Sequence, residues 1–147
     1  MNIKFSLCTL LSLSILLSFF CTALRAQISI DSTYEKEELD KMLIAAQKRN
    51  DRDSLAAVYY LLAEYEATSF YRIGNSLDNY NKAKSYYSLL QDSLMVSSID
   101  RAIGRKYMKS GYYQEALESY DKALNYFTKK EDLKNITYLN FEISQVY

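Results

Sequence analysis

Part of this sequence repeats itself after 40 residues. The segment Tyr80–Tyr87 returns as Tyr120–Phe127, with its tyrosine, lysine, alanine and final aromatic pair in the same places. The same offset relates Ile103–Tyr107 to Ile143–Tyr147. A fixed period of this length indicates an array of similar units, each of which buries its apolar side only against its neighbours.

Each period contains two helical patterns. Residues three or four apart share one face of a helix, and the apolar residues with this spacing in the clearest pattern are Tyr113, Ala116, Leu117, Tyr120, Ala123, Leu124 and Phe127. The chain has no proline and only three glycines, a composition that disfavours a turn-rich β protein. Gly111 can take the left-handed conformation that closes a helix.

The sequence therefore predicts an all-α fold of about six helices. The predicted helices are Tyr34–Arg49, Ser54–Tyr71, Asn75–Leu90, Ser93–Lys109, Tyr113–Lys129 and Leu133–Tyr147. The predicted breaks between helix pairs, at Asp53, Asp92 and Asp132, are spaced by 39 and 40 residues.

The segment Ser97–Lys130 resembles a tetratricopeptide repeat (TPR). The small and large positions that carry the resemblance are Ile103, Gly104, Tyr107, Gly111, Tyr113, Ala116, Tyr120 and Ala123. The resemblance implies an α-solenoid of antiparallel helix pairs. In such a pair Gly104 and Ala116 allow close approach of the two helices, the tyrosines fill the space on either side, and Ala123 admits the next unit.

The resemblance divides the chain into three parts. About two and a half repeats cover residues 54–147, the last of them incomplete, and residues 27–53 form a capping helix region. The unit before the best one fits less well, because Leu62-Ala63 replaces the Ile-Gly pair and Glu66 stands in place of a tyrosine. Leu139, Ile143 and Val146 have no following helix to cover them, which predicts contact with a partner or self-association through the last helix.

Residues 1–26 are predicted to be a secretory signal peptide. Lys4 precedes an apolar run, and Ala23 and Ala26 supply the small residues of a cleavage site. Two alternatives are a lipoprotein signal ending at Cys21 and an uncleaved membrane anchor over residues 5–24, which is long enough to span a bilayer. The predicted location is the periplasm or cell envelope.

The composition argues against most chemistry. The chain has no histidine, and both cysteines, Cys8 and Cys21, lie in the predicted signal peptide. A Ser-His-Asp or Cys-His site cannot form, and zinc lacks its preferred ligands. The formal net charge is zero, so no global field favours nucleic acid. The sequence predicts a protein that is not an enzyme and has no cofactor, metal or nucleic-acid partner.

In the TPR family the first helices of successive repeats line a concave groove. The resemblance places in that groove the residues Tyr60, Glu64, Arg101, Arg105, Lys109, Tyr138 and Phe141. The three basic residues recur at every fourth position and can meet a carboxylate or an acidic peptide, while a solvated helix face is the alternative. The tyrosines 59, 60, 86, 87, 112 and 113 form either an aromatic interaction surface or packing within the core.

These features predict an exported, non-catalytic scaffold that binds a protein or peptide in a TPR groove. The alternative is the input region of a longer bacterial signalling protein, which would also use a repeat array to receive a ligand.

Overall fold

The computed structural model of this chain describes residues 36–67 and 73–147. Nearly all of them belong to one compact unit, Leu39–Tyr147. The predicted signal peptide, residues 1–26, and the predicted start of the first helix at Tyr34 lie outside the described residues.

The described residues form six helices and contain no strand. Their bounds are 36–49 for α1, Arg52–Ala67 for α2, Ile73–Leu89 for α3, Ser93–Lys109 for α4, Tyr113–Lys129 for α5 and Leu133–Ser144 for α6. The all-α prediction is confirmed, and the bounds of α4 and α5 coincide with those predicted. Across the described ranges, no helix has the length and apolar character needed to cross a membrane.

An aspartate caps the amino-terminal end of each of the helices α2, α4 and α6. The carboxylate of Asp92 accepts the N–H of Met95 at 3.0 Å, and that of Asp132 accepts the N–H of Asn135 at 3.1 Å. These bonds satisfy amides that the first turn of a helix leaves without partners. The bond from the Asn135 N–H also lowers the pKa of Asp132, because it favours the charged carboxylate.

The first of the three predicted breaks was wrong by two residues. Asp51, not Asp53, is the cap of α2, since its carboxylate accepts from both the N–H and the hydroxyl of Ser54. Asp53 lies in the first turn of α2. The true caps are therefore separated by 41 and then 40 residues.

The four described turns between helices share one geometry. Each contains a residue with positive φ just after the helix: Asn50 (50°), Gln91 (61°), Gly111 (81°) and Glu131 (56°). The next residue donates its N–H to a carbonyl five residues back, as in the 3.0 Å bond from Tyr112 to Tyr107. This pattern is a Schellman motif. The predicted closure of α4 by Gly111 is confirmed.

The helices pack as antiparallel pairs, α2 with α3 and α4 with α5. In the first pair the hydroxyl of Ser76 donates to the carbonyl of Ala63 at 3.0 Å. Helix α3 then packs on α4, and α5 packs on α6, so among α2 to α6 the most extensive contacts join helices adjacent in the sequence. Two buried clusters result. The first contains Ala63, Tyr80, Ala83, Ile99, Ala102 and Ile103, and the second contains Ala116, Tyr120, Ala123, Phe127 and Leu139.

Small residues bring α4 and α5 together as the sequence predicts. A Cβ atom on Gly104 would lie 2.7 Å from both Cδ1 and Cε1 of Tyr120, a side chain with no exposed surface. Ala116 and Ala123 are also fully buried. The role predicted for Tyr113 was wrong, because this first residue of α5 is 55% exposed and does not fill the space between the helices.

The last helix is covered better than the sequence suggests. Leu139 is fully buried, and Ile143 and Val146 pack against the same cluster that α5 forms. The cluster that covers these three residues contains side chains of α4 and α5, and the predicted contact of the last helix with a partner or a second copy stays a prediction. Ser97, Asp100 and Gly104 are buried in α4. The residues 40 positions later, in α6, are polar and exposed: Thr137, Asn140 and Ser144.

Candidate functional site

The seven residues predicted to form a groove lie on α2, α4 and α6. They are Tyr60 and Glu64 on α2, Arg101, Arg105 and Lys109 on α4, and Tyr138 and Phe141 on α6. We call the surface formed by these seven residues the α2–α4–α6 face. Polar and aromatic contacts connect several of its members across the three helices.

Arg101 joins α4 to α6. Its Nε and Nη2 atoms donate to the two carboxylate oxygens of Glu142, at 2.9 and 2.8 Å. Its guanidinium carbon lies 5.5 Å from the centre of the Tyr138 ring. The hydrogen bond to Glu142 raises the pKa of Arg101. The two charged side chains are only 20% and 15% exposed, so Arg101 connects two helices and is not a free cation.

The three basic residues that α4 contributes to the α2–α4–α6 face are not equivalent. Arg105 Nη1 lies 4.0 Å from the Glu142 carboxylate that Arg101 already binds, and its side chain is 44% exposed. Lys109, one turn further along, is exposed. The available positive charge therefore increases from Arg101 to Lys109.

A polar cavity of about 250 Å³ lies between α2, α3 and α4. Its lining residues are Glu64, Ala67, Tyr80, Ala102, Arg105, Lys106 and Lys109. The Tyr80 hydroxyl donates to the Glu64 carboxylate at 2.7 Å, and Lys106 Nζ donates to the Ala67 carbonyl at 3.0 Å. Among the described residues, three cations and one carboxylate thus share the lining.

Burial and charge shift the pKa values of two lining groups. Burial, assisted by Glu64, raises the pKa of Tyr80 well above its usual range. Burial lowers the pKa of Lys106, and the nearby charge of Lys109 lowers it further. Both shifts arise because a charge is costly where water is partly excluded.

The predicted aromatic members of the face differ in exposure. Tyr60 is half-buried and meets Tyr80 edge to face, with ring centres 6.0 Å apart. Burial, followed by the charge of Glu64, raises the pKa of Tyr60. Tyr138 and Phe141 are 49% and 64% exposed. The apolar surface available to a partner on this face is therefore mainly that of α6.

Several other tyrosines serve in packing. Tyr59 and Tyr86 stack with ring centres 5.8 Å apart and nearly parallel planes, and Tyr112 meets Tyr107 edge to face. Tyr112 nevertheless remains 51% exposed. These contacts tie α2 to α3 and α4 to the start of α5, so the aromatic-surface interpretation does not account for them.

Sequence reasoning missed Glu142, Tyr80 and Lys106 as members of the site. Glu142 follows Tyr138 by four residues and therefore lies on the same side of α6. This spacing was the available signal, but the equivalent residue one period earlier is Ala102, so comparison of the repeats gave no reason to select it.

The pairing of Arg101 with Glu142 should contribute to the free energy of unfolding. Changing either residue alone to methionine leaves one partly buried charge, and we expect the free energy of unfolding to fall by about 1–2 kcal/mol. The double variant removes both charges and should recover part of this loss. Urea denaturation of the three variants measures the coupling. Arg105→Met is the control, with an expected change in the free energy of unfolding below about 0.5 kcal/mol. A double variant whose loss equals the sum of the two single losses would contradict the prediction.

The chemistry available on the α2–α4–α6 face consists of cations, carboxylates, phenols and an exposed phenyl ring. Within residues 36–67 and 73–147, no three histidine, cysteine, aspartate or glutamate side chains are grouped as a metal ion would require. Comparisons with models of protein families, with curated proteins and with solved structures found no match.

Proposed function

We propose that this chain is an exported, non-catalytic protein of the tetratricopeptide type that binds an extended segment of another protein or peptide along the α2–α4–α6 face. One observation carries the proposal. Glu64 on α2 and Arg105 on α4 line the same cavity, and Arg101 and Arg105 on α4 both approach Glu142 on α6, so polar groups of the three helices lie along one surface.

The assignment to the tetratricopeptide type rests on three features taken together. These are the period of about 40 residues, the fit of the Tyr120 ring against Gly104, and the shared geometry of the turns. In an array of this type each helix pair adds to one long surface, and such surfaces bind extended partners. The proposed export rests on the predicted signal peptide.

The face is suited to binding because its polar groups are already held in place. Glu64 is fixed by Tyr80, and Arg101 is fixed by Glu142. A partner that meets fixed groups avoids the entropy cost of ordering flexible ones. The exposed ring of Phe141 supplies the kind of apolar contact that often dominates the binding free energy.

Site-specific photo-cross-linking in intact cells tests the proposal. A photoreactive phenylalanine analogue is placed at position 141 of the full chain and, as a control, at position 89. Phe141 and Leu89 are equally exposed, at 64% and 63%, but Leu89 lies at the end of α3, outside the face. We expect discrete adducts from position 141 that are absent from position 89. Equal labelling at both positions would overturn the proposal.

A further inference from the structure

The positive charge of α4 exceeds the negative charge that contacts it on the α2–α4–α6 face. Glu142 places both carboxylate oxygens on Arg101 and only approaches Arg105, at 4.0 Å. Because one carboxylate serves two guanidinium groups, and the Glu64 carboxylate in the same cavity already accepts from Tyr80, Arg105 has less compensation than Arg101. Lys109 extends the positive surface by one further turn.

The cavity beside these two residues offers space for an anion. Its volume of about 250 Å³ exceeds that of a carboxylate group and several water molecules, each of which occupies about 30 Å³ in the liquid. Two of its charged groups already have roles, since Glu64 accepts from Tyr80 and Lys106 donates to Ala67. The remaining cations of the described lining, Arg105 and Lys109, are both exposed and can therefore receive an anion.

We propose that Arg105 and Lys109, two exposed residues in the lining of this cavity, form a subsite for the carboxylate of an aspartate or glutamate side chain within the bound segment. The proposal rests on the function proposed above and adds a preference for acidic residues. Arg105 would donate charge-assisted hydrogen bonds, and Lys109 would add a point charge.

The charges of the lining favour a monoanion over a phosphate group. Glu64 is part of the lining and would repel a dianion more strongly than a carboxylate. Arg101 does not contribute, because its Nε and Nη2 atoms donate to Glu142 and its Nη1 atom donates to Asn135 Oδ1 at 3.5 Å. The acidic residue of the partner should therefore lie nearer to α2 than to α6.

Glu142 has a positioning role in this arrangement. It holds Arg101 against α6 and also reduces the positive potential at Arg105. Neutralising this carboxylate should strengthen the binding of an acidic segment, whereas loss of a purely structural contact would not. The sign of this effect separates the two roles.

Selection from a library of displayed short peptides, each joined to its carrier at the carboxyl end, tests the subsite. The full chain is used as bait, beside Arg105→Gln/Lys109→Gln and the control Lys129→Gln/Lys130→Gln, which changes two exposed lysines at the end of α5. We expect acidic residues to be enriched on the wild type and the control but not on the site variant. Selected peptides should bind the site variant about 10-fold more weakly and Glu142→Gln about 3-fold more tightly.

The possible outcomes are distinct. One outcome is that the selected peptides need Phe141 for binding but are not enriched in acidic residues and bind the site variant as tightly as the wild type. This result would overturn the subsite and leave the proposed function intact. Recovery of no peptide at all would overturn both. If succinate or inorganic phosphate alone, at the same concentration, displaces the selected peptides, the cavity is a small-molecule anion site and the proposed peptide source is wrong.

Discussion

Leu139→Ala should release α6 from the rest of the protein. Leu139 is the only fully buried residue of that helix and lies against Ala123 and Phe127 of α5. Removing a buried leucine side chain costs about 3 kcal/mol, because transfer free energy is lost and a cavity remains. Because α6 packs closely on α5 and is otherwise held mainly by the contacts of Arg101 on α4, the loss should appear first as local opening of this helix.

Amide hydrogen exchange measures this effect helix by helix. We expect the amides of α6 to lose protection while those of α4 retain it. Leu133→Ala is the matched control on the same helix, because Leu133 is 75% exposed and its removal should change the free energy of unfolding by less than about 0.5 kcal/mol. Uniform loss of protection in all helices would contradict the prediction.

Gly104→Ala should destabilise the α4–α5 pair. The new methyl group would lie 2.7 Å from two ring atoms of Tyr120, which is fully buried and cannot move aside freely. Overpacking of this kind costs about 1–3 kcal/mol. Alanine also favours a helix interior over glycine by about 1 kcal/mol. We expect a net loss of about 1–2 kcal/mol, near the upper end because the ring is packed on all sides.

Gly74→Ala is the matched control for this substitution. Gly74 lies in α3, and a Cβ atom there would meet nothing within 4 Å, so the same change should be neutral or slightly stabilising. Urea denaturation compares the two variants directly. Replacing Tyr120 by leucine in the Gly104→Ala protein should cost less than it does alone, because the smaller side chain relieves the overlap. Equal stability of the two alanine variants would disprove the close packing.

The sequence predicted helix bounds well where a single residue could end or begin each helix. Both ends of α5 lie near residues that the sequence identifies as breaks, Gly111 and Asp132, and its bounds were correct. The start of α2 was missed because Asp51 and Asp53 are equally good caps by residue type. Only the position of the Ser54 hydroxyl distinguishes them, and that position depends on the folded backbone.

The candidate site was less predictable than the fold. Helical periodicity identifies the residues that share one side of α4, so Arg101, Arg105 and Lys109 could be selected together. It does not show which of them is neutralised by another helix. The partner of Arg101 is 41 residues away, at Glu142, and their contact depends on how α5 spaces α4 from α6.

Because the most extensive packing among α2 to α6 joins neighbours in sequence, with only a few contacts such as Arg101–Glu142 between helices further apart, the protein resembles a one-dimensional series of nearest-neighbour couplings. Opening at one end need not be felt at the other. A segment bound along α2, α4 and α6 would touch helices that are not neighbours in the chain and would tie their stabilities together. Binding would then change the protein from a series of separately opening pairs into a single cooperative unit.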